Sequence, residues 1–480
     1  MNIDDFLKKI VGISGSDKIM SPRTLISSWM RWYQGDVPSV HKISYQAQHS
    51  NRQLEAKTLN MAQVVSEDWA GLIINDKTEI QVDDADITNM LLGTDFSDFR
   101  GADSGGVLGA NNFWALSSQA IETGFALGTA ISTVRLDEFG NIKIEFVPFD
   151  AFFPTSWDSG RVTECVILTR AVLDGKAIET YTWHYLDSDG NYVIDSYGFD
   201  RNNVQNYHTK FESKSDVPLF SIFSPNKANN TKYQGMPYGV SIFSGREGIL
   251  TFIDSVLNMA QGDVEVGGLR MLITRDAVLT GEGESGGLHK TALDVDARQF
   301  LSSIETGYGE TPILKEFNPT LQLPSQMQAL DSALGILGKQ VGLGADRYTL
   351  SRETATTATA TAVKISSADQ LRTISKHRLK AEVFLLDILR AVIYLDNVRN
   401  NKVLRLSDFK QDPSLQIRIK FDESFFVDEE EVKARDMLLV ERNLMSKRNF
   451  LLKYGIATED NVDSYLDELR ADAPIHIGGY

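Results

Sequence analysis

The chain has 480 residues, 42% of them apolar and 24% charged, the balance of a folded protein but too long for one simple core, so two to four domains are expected. A formal net charge of −17 lacks the basic excess with which proteins grip nucleic acid; if DNA is a partner, the chain is built to tolerate it rather than hold it. The single cysteine, Cys165, excludes an intrachain disulfide and a thiolate metal site, and it suits folding in a reducing compartment.

The N-terminal MNIDDFLKK carries acids where a secretory signal needs bases, and no apolar core follows. Ser21-Pro22 predicts a helix start ahead of Leu25–Tyr33. Apolar residues at Met61, Val64 or Val65, Trp69 and Leu72-Ile73 give Leu54–Ile74 a helical period. The glycine-rich stretch Arg100–Asn112 reads as a flexible loop, with Asn112 placed to cap a helix over Phe113–Phe125. From Ala130 to about Tyr207, short β-branched and aromatic runs alternate with turns at Phe139-Gly140-Asn141 and Asp189-Gly190-Asn191, which predicts several antiparallel strands.

Ser241–Gln261 returns to helix, with Ile249, Ile253, Val256 and Ala260 on one stripe and Thr251, Asp254, Asn258 and Gln261 elsewhere. A separate module follows, with strands over Arg270–Thr274, Gln299–Ile304 and Ile313–Phe317. Pro324–Val341 is again helical, because Met327, Leu330, Leu334, Leu337 and Val341 repeat at 3 and 4. Two amphipathic helices flanking a small module form a hairpin with a tip, whose stripes need the body or neighbouring copies to cover them. Gly342–Ala358 reads as a loop, and a long helix over 359–398 would span roughly 60 Å, its apolar face marked by Leu379, Val383, Leu386 and Ile393. No membrane span is expected there, since Val383–Leu395 is interrupted by Asp387 and Arg390. The C-terminal part reads as a strand over Leu415–Phe421, a helix opened by an Asp428/Glu431 capping box, a last helix from Thr458 or Asp460 to near Leu469, and a loose tail.

Chemistry is sparse. Gly281–Gly286 (GEGESG) fits G-x-G-x-x-G, but Glu282 and Glu284 would repel a phosphate, so it reads as a surface loop. Gly335–Lys339 lacks the spacing and hydroxyl of a phosphate-binding loop. Asp187–Asn191 (DSDGN) resembles part of a calcium loop without the closing Glu and reads better as a hairpin turn. The seven histidines show no zinc spacing. His377, between Lys376 and Arg378, reads as a solvated or interface residue rather than a base. Arg347 and Arg352 flank Tyr348, a cluster that serves either packing or contact with a phosphate backbone. No catalytic, cofactor or metal constellation emerges, which favours a structural or assembly role.

Met20-Ser21-Pro22 with Trp29 and Tyr33-Gln34-Gly35, then Leu59–Ile80, Pro237–Phe243 and Val341–Gly344, form a collinear set. The set resembles the portal proteins of tailed bacteriophages, in particular those of siphophages of Gram-positive hosts. Met20-Ser21-Pro22 with its followers looks like the N-terminal signature, Leu59–Ile80 like the following helix, Pro237–Phe243 like the stretch before the first stem helix, and Val341–Gly344 like the turn after the second. Thr359–Val363, Ile365-Ser366-Ser367 and Arg372-Thr373-Ile374 resemble the family's start of the long helix, with Ala362 where relatives tend to have Glu.

The resemblance implies an α+β subunit with a mixed α/β wing (1–244), stem helices (245–262 and 322–341), a small α/β clip (263–321), a tunnel loop (342–358), a long helix (359–398) and a helical crown (399–480). It implies a ring of about twelve copies at one capsid vertex of the virion, assembled in the host cytoplasm. Its partners would be the terminase motor, a head–tail connector or adaptor, major capsid and scaffold proteins, and double-stranded DNA held weakly in the channel; no cofactor and no membrane are implied. Within that frame Arg347, Tyr348, Thr349, Ser351 and Arg352 are candidates to face DNA. Ile249, Ile253, Val256, Met327, Leu330, Leu334, Leu337 and Val341 are candidates for stem packing, and Glu282, Glu284, His289 and Lys290 for a clip interface. The small Thr and Ala side chains at the start of the long helix would let neighbouring subunits approach closely. Two other readings stand beside it: a head–tail connector or minor capsid ring without a DNA-lined tunnel, and a metal-dependent nuclease using scattered carboxylates.

Overall fold

The computed structural model describes residues 3–12, 23–47, 50–93, 105–173, 176–200, 204–266, 270–274, 300–304, 314–317, 320–350, 360–422, 429–442 and 444–454, with 462 and 466. The fold is mixed α/β and divides into two compact units, Met1–Lys420 and Phe421–Tyr480.

In the first unit α1 (Ile3–Phe6), continued by one π turn, precedes α2 (Arg23–Gln34), α3 (Pro38–His41) and a hairpin of β1 (Lys42–Ala47) and β2 (Ser50–Glu55). Next come α4 (Met61–Ile73), β3 (Glu79–Val82), α5 (Ala85–Leu92), α6 (Gly106–Ala110) and α7 (Phe113–Leu127). Strands β4 (Ala130–Leu136) to β10 (Gln205–Glu212) follow through β5 (Ile142–Val147), β6 (Phe152–Asp158), β7 (Arg161–Leu173), β8 (Lys176–Leu186) and β9 (Tyr192–Asp200), and then β11 (Phe220–Phe223). The rest of the unit is α8 (Glu247–Val266), β12 (Arg270–Thr274), β13 (Phe300–Ile304), β14 (Leu314–Phe317), α9 (Leu323–Val341), α10 (Ala360–Arg399), α11 (Asp408–Gln411) and β15 (Ile417–Lys420).

The antiparallel region expected after Ala130 forms two sheets, one of five strands ordered β10-β9-β8-β7-β6 and one of three ordered β11-β4-β5. Both expected hairpin turns are built alike: Asp137 Oδ1 accepts from Phe139 N and Asn141 N, and Asp187 Oδ1 from Asp189 N and Asn191 N. The DSDGN carboxylate is therefore occupied by its own turn. A third sheet joins β12 to β13 in parallel and to β14 in antiparallel fashion. A fourth pairs β15 with β3, so the chain up to Lys420 stays with the first unit.

The core lies where α10 crosses α4 and the β11-β4-β5 sheet. On α4, Met61, Val65, Trp69 and Ile73 recur every four residues and are buried. Trp69 stacks on Phe125 of α7, and Phe125 meets Phe223 of β11 edge to face. A separate cluster seats Ile3, Phe6 and Leu7 on the five-stranded sheet, with Phe6 stacked 4.7 Å from Tyr181.

Four expectations need correction. Of the expected apolar face of α10, Ile393 is buried and Leu386 half-buried, but Leu379 and Val383 are 62% and 51% exposed. Along that part of the helix the buried face is carried by Ile374, Ala381, Phe384, Leu385, Ile388 and Val392. The helix has two apolar stripes, and periodicity alone does not say which one meets the core. His377 lies on the buried stripe, 4.6 Å from the Trp69 ring and 5.3 Å from Phe125, not in solvent. Gly106–Ala110 forms a turn of helix where glycines predicted a loop. Asn112 adopts a left-handed conformation and makes no side-chain cap, so it turns the chain into α7 by its backbone.

In the second unit α12 (Glu429–Glu441) and α13 (Lys447–Lys453) enclose a small core of Leu451 and Val462. Asp436 accepts from Lys453 Nζ at 2.6 Å and Tyr454 Oη at 2.9 Å, and Ser446 caps α13 through Asn449 N. Asp428 lies outside the described residues, as does the expected Thr458–Leu469 helix apart from Val462 and Leu466, which are helical.

Candidate functional site

Helices α8 and α9 pack against each other, and the chain between them holds the β13-β12-β14 sheet. Of the residues expected to pack, Ile253, Val256, Leu330, Leu334, Leu337 and Val341 are buried. Ile249 is half-buried, with Leu250 taking the interior position beside it, and Met327 is 39% exposed. Asp263, near the end of α8, accepts from Gln322 N at 3.3 Å and Gln326 Nε2 at 2.8 Å, tying it to the start of α9.

The polar residues of α8 carry a second attachment that the apolar stripe did not signal. Asp254 is buried and accepts from His41 Nε2 at 3.0 Å, Thr58 Oγ1 at 2.9 Å and Leu59 N at 3.0 Å. His41 Nδ1 accepts from Val37 N, which leaves the imidazole proton on Nε2, facing the carboxylate. Asn258, one turn on, accepts from Lys57 N and donates to Lys57 O. Thus α8 is fastened along one side to α9 and along another to residues 57–59. Ahead of α8, the Lys227 ammonium donates to the carbonyls of Ser241, Ile242 and Ser244, and burial, reinforced by Arg246, pushes it down to about 8.

Beyond α9 the chain folds back at once. Gly342, with φ +87°, ends the helix, and Leu343 N donates to Gly338 O. Gly344 O lies so close to Gly338 that a Cβ there would sit 2.2 Å from it, so the turn needs a residue without a side chain at 338. Gln370 Nε2 of α10 donates to Leu343 O, and Trp69 Nε1 of α4 donates to Val341 O. Arg347 and Tyr348, two of the candidates to face DNA, converge on Asp68 of α4. Arg347 Nη2 lies 2.6 Å from Asp68 Oδ1, and Tyr348 Oη lies 2.8 Å from Oδ2. Burial and the Asp68 carboxylate push the Tyr348 phenol well up, so it stays a hydrogen-bond donor, and the same carboxylate raises Arg347. Thr349 Oγ1 accompanies them, donating to Asp346 O, and Leu350 N donates to Asp331. Ser351, Arg352, Glu282, Glu284, His289 and Lys290 lie outside the described residues.

This site has the character of a scaffold: a carboxylate strap, a helix pair and a tight turn. Among the described residues no group of three or more His, Cys, Asp or Glu could hold a metal ion, and no helix is long and apolar enough to cross a membrane. The Cys165 thiol is buried and pushed well up, far from the thiolate a nucleophile needs.

The family model described as phage portal protein, SPP1 Gp6-like, matches residues 21–474. The chain belongs to the phage portal protein family. No curated protein matches it. Portal proteins are structural components of the phage capsid with a role in DNA packaging, and the family is not enzymatic. The helix pair, the sheet between its members and the Asp68 strap are therefore features of a portal subunit. Sequence reasoning placed Asp254 and Asn258 off the apolar stripe without giving them a role, and gave none to Asp68 or His41. The available signal was their position: polar residues on helices whose opposite faces are apolar, in a chain with little other chemistry.

Proposed function

We propose that this portal protein assembles as a closed ring of about twelve subunits, with α8 and α9 as its stem, 263–321 as the clip and 342–358 as the loop nearest the DNA. The ring serves as the conduit for viral DNA during packaging and ejection. Its clip docks the terminase and later the head–tail connector. The observation that carries this reading is the pair α8 and α9, packed on each other and joined through one small sheet, in a chain matched by the portal family over residues 21–474. In this reading 399–480 belongs to the crown, Ser351 and Arg352 join the DNA-facing loop, and Glu282, Glu284, His289 and Lys290 belong to the clip surface.

The net charge of −17 supports weak and reversible DNA contact, since a conduit must release its cargo. Light scattering and class-averaged electron images of the purified protein test the proposal. Twelve copies of a 53.4 kDa chain weigh about 640 kDa, as a cyclic ring with an open centre. A protein that stays monomeric at every concentration, or a ring closed at its axis, would overturn it and return the connector reading.

A further inference from the structure

The roots of the α8/α9 pair meet on one turn of α10. Asp263 ties the far end of α8 to the start of α9, so the start of α8 and the end of α9 lie together at the other end of the pair. The triplet Lys376-His377-Arg378 reaches both. Toward α8, His377 Nδ1 accepts from Asn226 N at 3.0 Å and Lys376 O accepts from Asn226 Nδ2 at 2.8 Å. The next residue, Lys227, holds the carbonyls of Ser241, Ile242 and Ser244, in the turn that opens into α8. Toward α9, the His377 ring lies 4.6 Å from Trp69, whose Nε1 donates to Val341 O. Arg378 Nη2 donates to Leu72 O on the same helix, α4.

These contacts close on themselves. Ile242 N donates to Phe125 O, and the Phe125 ring stacks on Trp69 and meets His377 edge to face at 5.3 Å. His377, Asn226-Lys227, Ile242, Phe125 and Trp69 therefore form a closed circuit, and both roots are fastened to it. A close-packed circuit of this kind does not deform gradually: removing one link frees its neighbours together. Two further ties hold the segment after α9 independently of His377. Gln370 donates to Leu343 O, and Asp68 accepts from Arg347 and Tyr348.

We propose that this turn of α10 is a latch that makes the two roots open as one cooperative unit, so that a displacement at the start of α8 reaches the segment after α9. The latch lies within one subunit and stands whether or not the chain closes a ring. Hydrogen exchange of the full-length protein tests it. His377→Phe keeps a ring against Trp69 and Phe125 but removes the acceptor of Asn226 N. Amides of 241–250 and of 341–350 should then exchange faster by the same factor, about tenfold, while those of β9 keep their wild-type rates. Lys227→Met cuts the circuit at another link, on the α8 side. It should give the same pair of accelerations, and it covers the case in which the first variant fails to fold.

Faster exchange confined to 226–250 overturns the latch, since Gln370 and Asp68 would then hold the segment after α9 without it. Unchanged exchange at both roots does the same. Equal acceleration in β9 also overturns it, because the whole unit would then be opening rather than the two roots.

Discussion

His377 sits between Trp69 and Phe125 with Nδ1 accepting from Asn226 N at 3.0 Å. Burial, with Lys376 and Lys227 nearby, pushes its imidazole down to about 4. Between that value and the ordinary 6.5 the unfolded chain binds the proton that the folded chain refuses. Stability is therefore whole above pH 6.5 and falls as the pH drops toward 4, by about 3 kcal/mol at the acid end. His184, buried and also pushed down to about 4, adds a second loss in the same window. Urea midpoints measured from pH 7.5 to 4.5 should fall steeply, and His377→Gln should flatten the slope by about half; an unchanged slope would place the acid sensitivity elsewhere. Asp254 makes a different prediction. Asp254→Ala leaves His41 Nε2, Thr58 Oγ1 and Leu59 N without their acceptor and should cost about 3 kcal/mol, read as a lowered melting temperature.

At the scale of elements, the segment after α9 is held by partners on both sides. Asp68 of α4 takes Arg347 and Tyr348, and Asp331 of α9 takes Leu350 N. Arg347 is about half exposed, so the ion pair itself contributes only about 1 kcal/mol. In the proposed channel its larger effect is on charge, because Asp68 neutralises the guanidinium proposed to face the DNA. Asp68→Asn should leave the melting temperature within a few degrees but strengthen duplex binding by the assembled protein, with a log-log salt slope steeper by about one. Equal binding by both proteins would show that Arg347 never meets DNA. The α8/α9 pair depends on packing rather than charge. Leu334→Ala or Leu337→Ala, both buried on α9, should cost about 2 to 5 kcal/mol, read as a lowered melting temperature, and reduce assembly.

For the whole molecule, −17 per subunit multiplies around a ring, so the assembled portal protein is strongly acidic. Its duplex affinity should be feeble and should vanish with rising salt, as measured by titration of labelled DNA at several ionic strengths. Nanomolar binding in ordinary physiological salt would contradict the proposed role as a conduit that releases its cargo.

The sequence by itself determined much of the order of the elements. Short-range periodicity is a local property, so the helix read over Leu54–Ile74, the strands after Ala130, the α8/α9 pair and the three strands between were legible from spacing and turn residues alone, although that helix starts only at Met61 because Leu54 and Glu55 pair in β2, and β1, β3 and α5 gave no such signal. It also determined the family, because collinear short motifs accumulate along the chain even when each is weak. The tertiary structure decided which of two apolar stripes of α10 is the inner one, that His377 is buried, and that Arg347 and Tyr348 answer to an aspartate 279 and 280 residues away. Those facts rest on pairings between distant segments, and nothing in a local pattern encodes the partner. The same reason hid Asp254: a polar residue off the apolar stripe looks solvated until the fold brings His41 and Thr58 against it.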